Sequence, residues 1–243
     1  MKIITEYNAC WNVPNNVNYF ISTNETGFSR GLYKYANFSD NVGDKSTYVK
    51  QNIHALMNQL HLSKLVFMNQ THSSIIKEIK YYKPLKTCDA TYTTKNNIAC
   101  AVLTADCIPI LVTNNSGDFI GCIHAGWRGL YKGILEKFFK HKHVNNVNDY
   151  KVLLGPSIST SSYEVDLDIY NKFSIHRKSF KIKSNGKYLM NIRQIAKDIL
   201  NKIGVYDVTI SEPCTHNDTR FYSFRKHNKT GRFISLIWLE NDH

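Results

Sequence analysis

The sequence predicts an α+β fold in which mixed β-sheets form a single domain. Short runs rich in small and β-branched residues recur along the 243-residue chain and are typical of buried strands, whereas only a few segments have apolar residues at helical spacing. The strands and helices do not alternate strictly, which argues against a regular doubly wound fold. No linker, repeat or low-complexity segment interrupts the chain, so we expect one domain over residues 1–243.

Three segments have the residue spacing of helices. Residues 45–61 place apolar side chains on one face, with Asp44 as the expected N-cap. Residues 130–142 follow a glycine-flanked turn, and residues 192–203 are amphipathic. No Gly-x-Gly-x-x-Gly or Walker-type loop occurs in the sequence, which excludes a nucleotide-binding loop of those kinds.

Short apolar runs are predicted to be strands at residues 64–69, 98–103, 118–123, 152–154, 206–210 and 233–239. The run 64–69 leads into Gln70-Thr71-His72, and the run 118–123 ends on His124. Polar residues at the ends of strands are where a rigid scaffold usually presents its ligands. We therefore expect both histidines to stand where separate segments of the chain can converge.

Composition and charge argue against several classes of function. The net charge is +12, from 31 basic and 19 acidic residues, but the lysines are scattered and no recognised nucleic-acid motif occurs, so no specific nucleic-acid partner is expected. No apolar run approaches the roughly 18 residues that a membrane span needs, so no membrane partner is expected either. The N-terminus lacks the apolar core of a signal peptide, and we expect a cytoplasmic protein with reduced cysteines.

Three potential metal ligands stand in unusual sequence blocks: His72, Cys107 and His124. Two imidazoles and one thiolate suit a tetrahedral zinc ion whose fourth position stays open, as in a catalytic site. A structural zinc site would normally have four ligands in close pairs, and the sequence has no Cys-x-x-Cys. Each residue alone is more often a buried or hydrogen-bonded side chain, but all three stand at predicted strand ends.

Further candidates surround these ligands. Gly126-Trp127-Arg128-Gly129 places a cation at a predicted helix N-terminus, which suits phosphate, although a glycine-bounded turn with a solvated arginine would have the same sequence. Asp89 and Asp106 could each orient a ligand histidine, act as an acid or base, or cap a turn. Residues 214–225 are dense in polar and aromatic groups and could line a pocket for a flat ring.

Read together, these blocks resemble the YfiH-type family, long described as a multicopper polyphenol oxidase or laccase domain and later as purine nucleoside phosphorylase. The matching blocks are residues 27–33, Gln70-Thr71-His72, Thr104-Ala105-Asp106-Cys107-Ile108-Pro109, His124-Ala125-Gly126-Trp127-Arg128-Gly129, Gly155-Pro156, Tyr163-Glu164-Val165 and residues 230–238. A cysteine-rich segment of the family is replaced here by serines and a threonine over residues 157–162, which weakens a redox interpretation.

The resemblance implies an α/β/β/α sandwich with one zinc ion on His72, Cys107 and His124, which would form the catalytic centre. It also implies phosphorolysis of adenosine, inosine and methylthioadenosine, together with adenosine deaminase activity, although the usual zinc-deaminase signature is absent. Some members of the family have been linked to peptidoglycan editing.

The leading hypothesis is a zinc-dependent purine nucleoside phosphorylase whose ligands are purine nucleosides and phosphate. We expect zinc and Arg128 to hold phosphate, and Asn37, Gln70 and Arg225 to fix the nucleoside. A copper-dependent polyphenol oxidase is less favoured because most of the ten histidines are scattered, whereas multicopper centres consume many imidazoles. A hydrolase with Cys107 as nucleophile and a non-catalytic peptidoglycan-editing factor remain open alternatives.

Overall fold

The computed structural model describes residues 3–82, 87–140 and 146–240. In chain order the strands are β1 (Val17–Ile21), β2 (Leu65–Phe67), β3 (Ile76–Glu78), β4 (Ala90–Thr93), β5 (Ala99–Thr104), β6 (Ile108–Asn114), β7 (Ile120–Ala125), β8 (Tyr150–Leu154), β9 (Glu164–Val165), β10 (Phe180–Ile182), β11 (Tyr188–Met190), β12 (Asp207–Ile210) and β13 (Phe233–Leu239). The α-helices are α1 (Ser46–Gln59), α2 (Trp127–Tyr131), α3 (Ile134–Phe139), α4 (Leu167–Lys172) and α5 (Ile192–Ile203).

Two large sheets organise these elements. One has four strands in the order β1-β13-β5-β2, and the other has six in the order β12-β8-β6-β7-β4-β3. Both are mixed, because the outer pairs β2–β5, β3–β4 and β12–β8 are parallel and the remaining pairs are antiparallel. A third, small antiparallel sheet has the strand order β10-β11-β9. The predicted α+β class with mixed sheets is confirmed.

Alternation along the strands creates four layers. In β5, Cys100 and Val102 pack into the core between the two large sheets, whereas Ala99 and Ala101 pack on the opposite face against α1. The outer face of the six-stranded sheet is covered by α3 and α5. The order is therefore helix, sheet, sheet, helix, as the resemblance implied. Because both faces of these strands are buried, their sequences are nearly continuous apolar runs.

Two details of the helices differ from the sequence prediction. The N-cap of α1 is Lys45 rather than Asp44, whose carboxylate instead accepts hydrogen bonds from the Lys45 amide and the Asn37 side chain. The helix expected over residues 130–142 is two short helices, α2 and α3, separated by Gly133 with a left-handed φ of 75°. Residues 141 and 142 of that prediction lie outside the described part of the chain. Within the described part, no helix is long and apolar enough to cross a membrane.

Candidate metal centre and its cavity

The three predicted ligands come together where the two large sheets meet. His72 lies in the loop after β2, Cys107 lies in the crossing from β5 of the four-stranded sheet to β6 of the six-stranded sheet, and His124 lies near the end of β7. Their ligand atoms are all within 4.8 Å of one another, and Cys107 Sγ is 3.9 Å from His72 Nε2. This is the only group of three or more histidine, cysteine or acidic side chains so placed among the described residues.

The backbone at this centre takes conformations that the surrounding structure has to hold. His72 and Asp106 have φ values of 57° and 95°, in the left-handed region that costs a non-glycine residue on the order of 1 kcal/mol or more. The His72 amide donates to the Asp89 carboxylate over 3.0 Å. The Asp106 carboxylate accepts from the Thr215 hydroxyl over 2.7 Å and from the Arg225 amide over 2.6 Å. These bonds tie both turns to distant segments.

The Asp89 carboxylate organises two of the three ligands. It is fully buried, and it accepts from Nδ1 of His124 over 2.8 Å. It also accepts from the backbone amides of Thr71, His72 and Ser73 and from the Ser73 hydroxyl, at distances between 2.6 and 3.2 Å. Because Nδ1 of His124 is engaged, Nε2 is the ring nitrogen left for a metal. The expectation that an aspartate orients a ligand histidine fits Asp89.

Electrostatics favour the ligand form of the thiol. Burial raises the pKa of Cys107, but the charge of His124 and hydrogen bonds from both histidines outweigh it and lower the pKa to about 6. Burial lowers the pKa of His124, whereas the Cys107 thiolate and the bond to Asp89 raise it to about 9. Burial raises the pKa of Asp89, but hydrogen bonds from His124 and Ser73 hold it well below its usual range. At neutral pH Cys107 is therefore a thiolate, the form that binds metals.

A glycine makes room for this arrangement. A Cβ atom on Gly126 would lie 2.8 Å from Cys107 Sγ and 3.1 Å from Cδ2 of His72. The residue is extended rather than left-handed, so its role is close approach and not conformational freedom. The donor set, its spacing and the fixed tautomer of His124 fit a metal ion of borderline softness with an open coordination position.

The centre opens into a cavity of about 590 Å³. Its wall combines apolar and aromatic groups with three arginines: Ser39, Asn41, Val42, Met68, Gln70, His72, Leu103, Thr104, Ala105, Asp106, Cys107, His124, Trp127, Arg128, Ile158, Tyr163, Ile192, Phe224, Arg225 and Arg232. The size is that of a small-molecule site, and the arginines make it suited to an anion.

Two expected ligand contacts, Arg128 and Arg225, do lie on this wall. The Arg128 side chain is exposed, and its guanidinium lies 4.6 Å from the Trp127 ring centre. Arg225 lies over the Tyr163 ring at 5.2 Å and donates to the Glu164 carbonyl over 2.8 Å. The helix that contains Arg128 has only five residues, so its dipole adds little to the cationic side chain.

Asn37 and Gln70 are placed differently from what we expected. Asn37 is fully buried outside the cavity wall, where its amide donates to Ser39 and Asp44 and accepts from the backbone of Ser39 and Arg232. Asn37 therefore does not line this cavity, and its contact with a nucleoside stays an untested prediction. Gln70 reaches the wall, but its amide exchanges two hydrogen bonds, of 2.8 and 2.9 Å, with the backbone of Leu103. Both side chains therefore form hydrogen bonds that hold the surrounding backbone.

Among the wall residues to which the sequence assigned no role, three carry aromatic or cationic groups suited to a ligand: Tyr163, Phe224 and Arg232. Arg232 and Tyr163 stood inside blocks of the resemblance, and Phe224 inside the polar-aromatic segment, without an assigned role. Arg232 precedes β13, whose first residue, Phe233, pairs with Thr104 at the end of β5. That pairing brings Arg232 beside the metal centre, and only the sheet order reveals it.

Comparison with known proteins identifies the family. A family model described as "Multi-copper polyphenol oxidoreductase laccase" matches residues 18–240. A Haemophilus influenzae protein named purine nucleoside phosphorylase is 37% identical over 241 residues, covering 96% of this chain and 98% of its own. The chain belongs to the YfiH-type family. Purine nucleoside phosphorylase YfiH of Shigella flexneri is 33% identical, covering 94% of this chain and 96% of its own.

Solved structures agree with this assignment. The crystal structure of Neisseria meningitidis protein NMB0706 has a TM-score of 0.88 to this YfiH-type chain at 31% identity, covering 98% of this chain and 99% of its own. In the serine segment that replaces the family's cysteines, the Ser159 amide donates to Cys214 Sγ over 3.2 Å, and the Ile158 amide donates to the Asp106 carbonyl over 3.0 Å. Ser159 and Cys214 do not line the cavity, whereas Ile158 does, and none of the three belongs to the group of possible metal ligands.

Proposed function

We propose that this YfiH-type protein is a zinc-dependent purine nucleoside phosphorylase that acts on adenosine, inosine and methylthioadenosine. The observation that carries the proposal is an open two-histidine, one-thiolate group at the base of an arginine-lined cavity. The names of the curated relatives supply the reaction class. The sequence adds a cytoplasmic location as an expectation.

Zinc is the metal that this donor set favours. His72, Cys107 and His124 would hold it, and bound zinc would supply a Lewis acid that polarises an oxygen of substrate or water. A multicopper oxidase needs several imidazole-rich centres, whereas the described residues offer one group of three ligands. That contrast favours zinc over copper.

The cavity residues account for what phosphorolysis requires. The bond between the ribose anomeric carbon and the purine nitrogen breaks, a phosphate oxygen bonds to that carbon, and the purine leaves with the proton that the hydrogen phosphate loses. Arg128 would bind and orient the phosphate anion, and Arg225, on the same wall, would fix the nucleoside. Trp127 and Phe224 supply aromatic surface for the flat purine. Enclosure in the cavity excludes water and so strengthens the electrostatic interactions between these groups and the substrates.

The test is a phosphate-dependence assay on zinc-loaded protein. Each nucleoside is incubated with and without phosphate, and ribose 1-phosphate, free base and deaminated nucleoside are separated and quantified. We expect base release only with phosphate, and conversion of adenosine to inosine would add deaminase activity. The Cys107→Ser variant, which keeps a similar side-chain size, should lose both zinc and turnover. Absence of base release, together with copper-dependent oxygen uptake on a phenol, would favour the oxidase instead.

A second candidate function, hydrolysis with Cys107 as nucleophile, is favoured by one observation. The thiolate of Cys107 beside His124 has the lowered pKa of an activated nucleophile. The two functions respond oppositely to a chelator, because a cysteine hydrolase would keep or gain activity when the metal is removed and the phosphorylase would lose it. Base release from water alone in chelated protein would therefore decide for the hydrolase.

A further inference from the structure

We propose that Arg232 is the principal phosphate-binding residue of this site, and that Arg128 has the lesser role at the rim. The proposal rests on the proposed function for the identity of the anion. It differs from the expectation drawn from the sequence, in which Arg128 was the phosphate contact.

The Arg232 guanidinium is held in place before any ligand binds. Nη1 donates to the carbonyl oxygens of Thr230 and Gly231, both over 2.9 Å, and the guanidinium lies 5.7 Å from the Phe224 ring centre. Its backbone amide donates to the buried Asn37 side chain over 2.9 Å. An arginine fixed in this way loses little conformational entropy when it binds an anion.

The free edge of the same guanidinium is available to a ligand. Nε and Nη2 of Arg232 have no hydrogen-bond partner among the residues that the structure describes, and neither nitrogen is sealed from solvent. Because Arg232 lines the cavity, these two donors can bind a tetrahedral oxyanion in the bidentate geometry that guanidinium groups prefer.

Position separates Arg232 from the other two arginines. Arg232 is half-buried on the same cavity wall as Cys107 and Asp106. It directly precedes Phe233, which pairs with Thr104, three residues before Cys107. Arg128 and Arg225 are both exposed, and Arg225 is fixed by a backbone carbonyl and an aromatic ring as Arg232 is, so burial distinguishes Arg232 from both. Arg232 therefore combines fixation, free donors and proximity to the metal centre.

Steady-state kinetics on zinc-loaded variants test this assignment. In Arg232→Gln we expect the KM for phosphate to rise about 10- to 100-fold, the effect of losing a charge-assisted bidentate contact, with a much smaller change in the KM for inosine. Arg232→Lys keeps the positive charge but loses the planar pair of donors, so its KM for phosphate should lie between those of the wild type and Arg232→Gln. Arg128→Gln should change the phosphate KM less than Arg232→Gln does. Arg177→Gln, which removes an exposed arginine outside the cavity wall, controls for net charge.

A binding measurement separates failure of this inference from failure of the proposed function. Calorimetric titration of zinc-loaded protein with inorganic phosphate needs no turnover, and circular dichroism checks that each variant is folded. If the wild type binds phosphate and Arg232→Gln does not, the inference is supported, whether or not the wild type cleaves a nucleoside. Absence of cleavage by the wild type would contradict only the phosphorylase assignment. Phosphate-dependent cleavage by the wild type, with unchanged phosphate KM and affinity in folded Arg232→Gln and Arg232→Lys, overturns the inference alone. So does an effect of Arg128→Gln that equals or exceeds that of Arg232→Gln.

Discussion

Replacement of Asp89 by asparagine is expected to damage the metal centre and the fold around it together. One carboxylate oxygen accepts from His124 Nδ1 and the His72 amide, and the other accepts from the Ser73 amide and hydroxyl. An asparagine keeps one acceptor oxygen and presents an NH₂ group in place of the other. At least one of these donors would then face another donor inside a site from which water is excluded.

The magnitude follows from the number of bonds affected. An unsatisfied buried donor costs about 1–3 kcal/mol, and the carboxylate charge that strengthens the remaining bonds is also lost, so we expect the free energy of unfolding to fall by about 3 kcal/mol. Zinc affinity should fall by about 10- to 100-fold, the usual effect of removing the partner of a ligand histidine. By linkage, the depressed pKa of Asp89 contributes stability above the pKa of an unfolded aspartate, near 3.9, which is lost as pH falls towards its folded value. The free energy of unfolding of Asp89→Asn should therefore fall less steeply than that of the wild type as the pH is lowered below about 4.

Competition between the protein and a chromophoric zinc chelator measures the affinity, and urea unfolding of the metal-free protein measures the stability. Ser73→Ala removes the 2.6 Å hydroxyl bond to Asp89 and the 3.2 Å bond that the same hydroxyl accepts from the Ile75 amide, and should cost about 1–2 kcal/mol, with little effect on zinc. Asp168→Asn removes the same charge from an exposed position and should change neither quantity. Wild-type zinc affinity and stability in Asp89→Asn would refute the role that we give this carboxylate.

Three further outcomes are expected. Gly126→Ala should abolish zinc binding measured by elemental analysis, because its Cβ would lie 2.8 Å from Cys107 Sγ, and retention of stoichiometric zinc would contradict this. In metal-free protein the alkylation rate of Cys107 should rise through pH 6 and level off, because its lowered pKa makes it a thiolate above that pH, whereas an ordinary thiol keeps rising towards about 8.5. Zinc removal should leave the far-ultraviolet circular dichroism unchanged, and its collapse would indicate a structural metal.

The sequence singled out the three side chains that the structure brings together because each stands near the end of an apolar run. His72 follows β2, Cys107 follows β5 and His124 closes β7, and such junctions are visible as abrupt changes from apolar to polar residues. The sequence could not predict which of these strand ends lie next to one another in the fold. Arg232 lies 125 positions beyond Cys107, and its contact with the site depends on β13 pairing with β5 in a particular register.

The missed elements have local explanations as well. β6 begins with Ile108 and Pro109, and proline inside an apolar run argues against a central strand, yet Pro109 lies before the pairing of β6 with β8 starts at Ile110. The break between α2 and α3 coincides with Gly133, a residue that lowers confidence in any long helix. The sequence cannot distinguish a structural asparagine such as Asn37 from one that binds a ligand, because the residue type is the same. The hydrogen bonds of its side chain make the distinction.

The hydrogen bonds around the metal centre explain why a catalytic ion is a better interpretation than a structural one. Asp89 fixes His124 and the loop of His72, Gln70 ties that loop to Leu103, and Asp106 anchors the turn before Cys107, all through protein atoms alone. A structural zinc ion in a small domain replaces such bonds and is needed for folding. Here the ligand positions are preorganised by the protein, and they face a cavity rather than a sealed interior. Protein atoms alone therefore hold the proposed ligands in place, as an open catalytic site requires.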